Sequence, residues 1–257
     1  HRDLHSFPTR RSSDLSSLTA DDFYQRGNEE LTKYELDNRN KEALQNAEDS
    51  FLKALKYDAT FAKAYTGLAR VYLNKHFWNE YFSENFMDSA LIFADKALSI
   101  DDKLSDAYIL RGNCYYAKGL IEKASEEYDR ALKYNPNDYL AYAQKTKISH
   151  LLKDYVETFK NAYKAINRYH GVMLPTYLRH IAQYYLDVGF IDKAKYYYNE
   201  AYTLDGDSAA YFRNLENIEW SNENFAAAGK WRDKAFATDS RSEDTRLNSS
   251  HVSQSRM

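Results

Sequence analysis

Small residues recur along this chain at a nearly fixed interval. Ala54, Ala97, Ala131, Ala165, Ala201 and Ala235 follow one another at spacings of 43, 34, 34, 36 and 34 residues. Seven residues before each stands a partner: Ala47, Ala90, Ala124, Ala194 and Ala228, with Thr158 as the one exception. Seven residues is close to two turns of α-helix, so each pair lies on one helical face. Alanines at such places let a neighbouring helix approach closely. Larger apolar residues lie on the helices between them: Tyr65, Leu68 and Tyr72; Tyr142; Leu178, Ile181 and Tyr185; Phe212 and Leu215. The interval predicts six helical hairpins, near 21–61, 62–104, 105–138, 139–174, 175–208 and 209–240. A hairpin of this size cannot bury its apolar face alone, so each needs its neighbours.

Residues 105–138, SDAYILRGNCYYAKGLIEKASEEYDRALKYNPND, carry the pattern most fully: Tyr108, Gly112, Tyr115, Ala124, Tyr128, Ala131 and Pro136. This resembles the tetratricopeptide repeat, whose signature is W-x2-L-G-x2-Y, then A-x3-F, then A and P. Tyr108 stands for the usual Trp and Arg111 for the usual Leu. The resemblance implies an all-α fold, a right-handed superhelical solenoid of about six helix-turn-helix repeats over residues 18–240.

Composition agrees with helices joined by short turns: of 257 residues only eight are Gly and three Pro. A net charge of −3 gives no argument for nucleic acid. No apolar run approaches the roughly 18–20 residues that span a bilayer. A single cysteine, Cys114, excludes an internal disulfide and fits a reducing compartment, so the expected location is cytoplasmic. The ends break the pattern. Residues 1–17 and 241–257 are rich in Ser and Arg, lack a helical period and resemble translated sequencing-adapter read-through. They are expected to be non-native or disordered tails on a piece of a longer protein.

Thr19 is a candidate helix cap, with Asp21 and Asp22 in the first turn. Two repeats are stretched, the first around Asp37–Lys41 and the second within 75–89. The second insertion holds Phe77, Trp78, Tyr81, Phe82 and Phe86, expected to pack back on the array; the alternative is an exposed recognition patch. A widened first unit, D-x-x-F-A-x-A-Y-x-G-L-A at 58–69, a long loop and A-x-x-A-L-x-I-D at 94–101 are similar to the repeat arrays of bacterial signalling proteins: transcriptional regulators, adenylate cyclases and kinases.

No motif for catalysis stands out. There is no H-E-x-x-H, no Cys pair and no G-x-x-x-x-G-K phosphate loop. His180 reads as a polar surface or packing residue and Cys114 as buried packing. The expectation is a protein that is not an enzyme and has no cofactor and no metal.

That leaves binding. The resemblance places a ligand along the concave groove of the first helices. Carried onto this sequence, the groove positions include Lys63, Arg70, Asn113, Tyr116, Lys147, Arg179, Gln183, Leu186, Arg213, Asn217 and Trp220. They make a basic surface on an acidic chain, which points to an acidic peptide or helix of a partner protein. Arg179 with Gln183 and Arg213 with Asn217 are i,i+4 pairs, each able to hold a carboxylate; the other reading is that these arginines are solvated or pair with acids of neighbouring repeats. The expected function is a protein–protein interaction scaffold within a larger bacterial signalling protein. The alternatives are the accessory part of a cyclase, kinase or glycosyltransferase, or an envelope-assembly protein.

Overall fold

The computed structural model describes residues 19–36, 40–76 and 86–254, with side chains as far as residue 239. The segment 1–17 and the loop aromatics Phe77, Trp78, Tyr81 and Phe82 lie outside the described residues. Among the described residues there are twelve α-helices and no strand. The chain divides into two compact units, His1–Pro136 and Asn137–Met257.

The first unit contains α1 (Ala20–Leu36), α2 (Lys41–Tyr57), α3 (Ala62–His76), α4 (Phe86–Ile100), α5 (Ser105–Ala117) and α6 (Ile121–Tyr134). Consecutive helices pair as hairpins, and each hairpin packs on the next. Thr19 and Asp22 cap α1 reciprocally: Thr19 Oγ1 accepts from the Asp22 amide at 3.2 Å, and Asp22 accepts from the Thr19 amide at 2.7 Å. Asn40 caps α2 by accepting from the amides of Glu42 and Ala43. The alanines of the register are fully shielded: Ala47, Ala54, Ala90, Ala97, Ala124 and Ala131. Larger side chains fill the spaces these small residues open. Phe51 of α2, itself wholly buried, is gripped between Gly27 of α1 and Gly67 of α3. Tyr128 of α6 lies against Gly112 of α5 in the same manner. Phe86 opens α4 and is buried edge-on to Tyr72.

The second unit contains α7 (Tyr139–Leu151), α8 (Tyr155–Ile166), α9 (Leu174–Asp187), α10 (Ile191–Asp205), α11 (Ser208–Ser221) and α12 (Phe225–Gln254). Asp138, Asp154 and Asp207 cap α7, α8 and α11 through their side chains, and Pro175 occupies the first turn of α9, where its missing N–H costs nothing. Ala165, Ala194, Ala201, Ala228 and Ala235 are buried. Thr158, the break in the register, is buried as completely, and its hydroxyl donates back to the Asp154 carbonyl at 2.7 Å. A threonine serves at an alanine position here because its polar atom is satisfied within its own helix. The backbone of 241–254 continues α12, although no apolar period marks those residues; no Gly or Pro interrupts them.

Four turns between first and second helices share one backbone design. Gly119, Lys153, Gly189 and Glu223 have φ of 75°, 58°, 81° and 59°. In each turn the next residue's amide reaches back across the helix end, Leu120 to Tyr115, Asp154 to Ser149, Phe190 to Tyr185 and Asn224 to Glu219. The left-handed residue lets the chain reverse while the last carbonyls of the first helix keep donors.

Candidate functional site

The expected groove residues fall in both units. In the first, Lys63 and Arg70 lie on α3, Lys63 exposed and Arg70 half-buried, and neither has a carboxylate partner among the described residues. Asn113 and Tyr116 lie on α5, both half-buried. Asn113 is committed internally: its Oδ1 accepts from the Tyr128 hydroxyl at 2.9 Å. Burial raises the Tyr128 phenol above its ordinary pKa, so that hydroxyl is a permanent donor.

In the second unit, each expected arginine clamp is closed by an acid of its own hairpin. Arg179 on α9 reaches both carboxylate oxygens of Asp205 on α10, at 3.0 and 2.7 Å. Arg213 on α11 meets Asp239 on α12 at 2.7 Å. The offset from arginine to aspartate is the same in both repeats, 26 residues. These two cations are therefore neutralised where the basic groove required them free. The amides are engaged too. Gln183 donates to Asp187 at 2.7 Å and accepts from the Tyr198 hydroxyl at 3.1 Å. The Asn217 side chain also hydrogen-bonds Tyr198, whose phenol burial pushes up to about 12. Asp187 is shared with His150 of α7, at 3.1 Å from Nε2. A polar network thus runs from α7 through α9 and α10 to α11. The tyrosine-to-amide bond is a repeat feature, since Tyr128–Asn113 and Tyr198–Gln183 occupy equivalent places.

Leu186 corrects the sequence reading. Only 6% exposed, it packs with Ala182, Ala194, Tyr198 and Ile218 and offers nothing to a ligand. The reason is helical phase: Leu186 lies four residues beyond Ala182, on the face that α10 covers. Trp220 is the opposite case, half exposed and edge-on to the exposed Phe225 at 4.7 Å.

Lys147 of α7 borders a small cleft of about 20 Å³ between α7, α8 and α9, whose lining includes Ala162, Tyr177, His180 and Tyr184. Much of the Lys147 side chain stays open to solvent, yet the rings and methyl groups of the cleft desolvate its ammonium and lower its pKa. The His180 imidazole is held below its usual range, first by desolvation and then by the Lys147 charge.

Residues 105–138 match the tetratricopeptide repeat model. The chain has the fold of an array of such repeats. TTC0263 of Thermus thermophilus, a thermophilic TPR protein, superposes with a TM-score of 0.60 at 18% identity, over 78% of this chain and 99% of that one. PilF of Pseudomonas aeruginosa gives 0.59 at 18% identity, over 82% and 88%. YrrB, a TPR protein with an unusual peptide-binding site, gives 0.50 at 22% identity, over 73% and 91%. No curated protein matches the chain in sequence. At these identities the likeness is one of fold.

Within this tetratricopeptide array the departure at Arg111 has a structural cause. Its guanidinium bridges three helices, meeting Glu127 of α6 at 2.7 Å and Asp95 of α4 at 2.9 Å. An aliphatic residue at that position would leave the buried Glu127 with Arg130 alone. The clamp-closing acids Asp205 and Asp239 escape a reading of the sequence by motif. They are recoverable in principle, because arginine and aspartate both recur one repeat length apart. Nothing in the sequence marks His180 as more than a surface or packing residue; only the fold brings it beside Lys147.

Proposed function

We propose that this segment is a non-catalytic scaffold that binds an extended peptide or a helix of a partner protein on the faces of its first helices. The observation that carries the reading is the repeat fold. In the first unit α3 touches both α1 and α5, so successive first helices line one surface. In the second unit the network from His150 to Asn217 holds polar side chains of α7, α9 and α11 in fixed positions. Groups ordered before binding lose little freedom when a ligand arrives. The peptide-binding site of YrrB, on a similar fold, supports the same use here.

Lys63, Arg70 and Lys147 favour an acidic partner, since none has a carboxylate partner among the described residues. Complementary charge of this kind sets on-rate and specificity. Affinity comes from Tyr116 and Trp220, aromatic anchors of the type that dominates interfaces. As the interaction part of a larger bacterial signalling protein, the segment would recruit that partner in the cytoplasm.

The test is selection of peptides from a displayed random library on the whole chain, followed by titration of the enriched peptides by fluorescence anisotropy. Acidic sequences should be enriched, bind less tightly as salt rises, and lose about tenfold or more in affinity with Tyr116→Ala or Trp220→Ala. A library that yields no binding peptide, or peptides indifferent to both substitutions, refutes the reading.

A further inference from the structure

Three basic side chains on the first helices of the second unit have acids of their own. Arg179 has Asp205, Arg213 has Asp239, and His150 has Asp187. Lys147 and His180 have no carboxylate among the described residues, and both line the cleft between α7, α8 and α9, close enough for the Lys147 charge to act on the imidazole. The helix that closes the cleft, α8, contributes Ala162, Ala165 and Ile166, and the remaining titratable lining is the pair Tyr177 and Tyr184. The deep end, at Ala162, Ala165 and Ile181, is buried and apolar, whereas Lys147 and His180 stand at the open end. Two basic groups side by side in a partly desolvated place repel each other and lack their counter-charge. A bound anion reverses both penalties at once.

We propose that this cleft takes a carboxylate side chain, Glu or Asp, of the bound partner. The inference rests on the scaffold reading above. Lys147 Nζ donates to the carboxylate, and His180 donates once protonated. The apolar floor of the cleft, at Ala162, Ala165 and Ile181, offers the carboxylate no competing donor, so its charge-assisted bonds go to Lys147 and His180. Size agrees: space of about 20 Å³ holds little more than one water-sized group, enough for a carboxylate head and too little for an aromatic ring. Recognition of acid therefore moves from the closed arginine clamps to the neighbouring repeat junction.

The test needs no known partner. N-acetyl-glutamate amide is titrated into the whole chain while the His180 ring signals are followed by NMR, with N-acetyl-glutamine amide as the neutral isostere. The acid should shift the His180 signals saturably and raise the His180 pKa, while the amide should do neither. Lys147→Met should weaken the acid by about tenfold. Circular dichroism confirms that this surface variant is folded. Equal shifts from both probes, no saturable shift, or an unchanged Lys147→Met overturn the proposal. N-acetyl-alanine, with only a terminal carboxylate, is the third probe; if it binds as tightly as the glutamate amide, assignment to a side chain is wrong. The two readings fail differently. Library peptides that bind without regard to acid or to Lys147 sink the cleft and leave the scaffold. A glutamate amide that binds where no peptide does leaves the cleft and sinks the scaffold.

Discussion

Phe51 tests the packing logic of the array most directly, because two helices press on one ring. A Cβ at Gly27 would fall 2.4 Å from Phe51 Cε1, and one at Gly67 would fall 2.5 Å from the same atom. Carbon atoms in contact sit at about 3.5–4.0 Å, so either methyl overlaps the ring by about 1 Å or more. The ring is wholly buried and has the second glycine helix close by, so retreat from one side meets the other. Gly67→Ala should therefore cost about 1–3 kcal/mol, the range for overpacking a full core. This runs against local preference, since alanine improves on glycine in a helix by about 1 kcal/mol. Phe51→Leu removes the ring. In that background Gly67→Ala should cost at least about 1 kcal/mol less, and its sign reverses if the helix preference is all that remains. Urea unfolding of the four proteins in this cycle, followed by far-UV circular dichroism, gives the coupling. Additive effects, or a Gly67→Ala that stabilises the parent, would refute the clamp.

Three further outcomes are expected. Lys153→Gly should stabilise by about 0.5–1 kcal/mol in thermal or urea unfolding, because a left-handed residue with a Cβ costs about 1–2 kcal/mol and glycine's extra unfolded-state freedom returns only part of it; a loss of stability would mean the Lys153 side chain matters more than its backbone. The two repeat ion pairs should differ: Asp205→Asn, beside an Arg179 side chain only 17% exposed, should cost about 1 kcal/mol or more, and Asp239→Asn, where both partners are about half exposed, under about 0.5; equal costs in urea titrations would contradict the burial argument. His180 has a folded-state pKa below its unfolded value near 6.5, with Lys147 as the one charged neighbour in its cleft, so it favours the folded state above about pH 6.5 and that contribution is lost as pH falls; the urea midpoint should drop more between about pH 7.5 and pH 5.5 in the parent than in His180→Gln, and parallel drops would remove the desolvation argument.

Helices, hairpins and their order were legible in the chain because they rest on local chemistry. A small residue every second turn, a capping aspartate and a turn glycine act within a few residues of themselves, and a repeat announces each of them several times over. Thr158 shows how far that goes: the break in the register is no break in packing, since threonine can satisfy its own hydroxyl one turn back. The surface chemistry was not legible in the same way. For Arg179 and Arg213 the sequence left a partner's carboxylate, solvent or the chain's own acids as readings until Asp205 and Asp239 folded against them, and Leu186 read as a groove position until α10 covered it. His180 and Lys147 are 33 positions apart and meet only because α7 and α9 border one cleft. Whether a side chain is spent inside the molecule or left for a partner depends on its neighbours across helices. Those neighbours are set by hairpin packing, and charge pairing acts over a few ångströms of space whatever the distance along the chain.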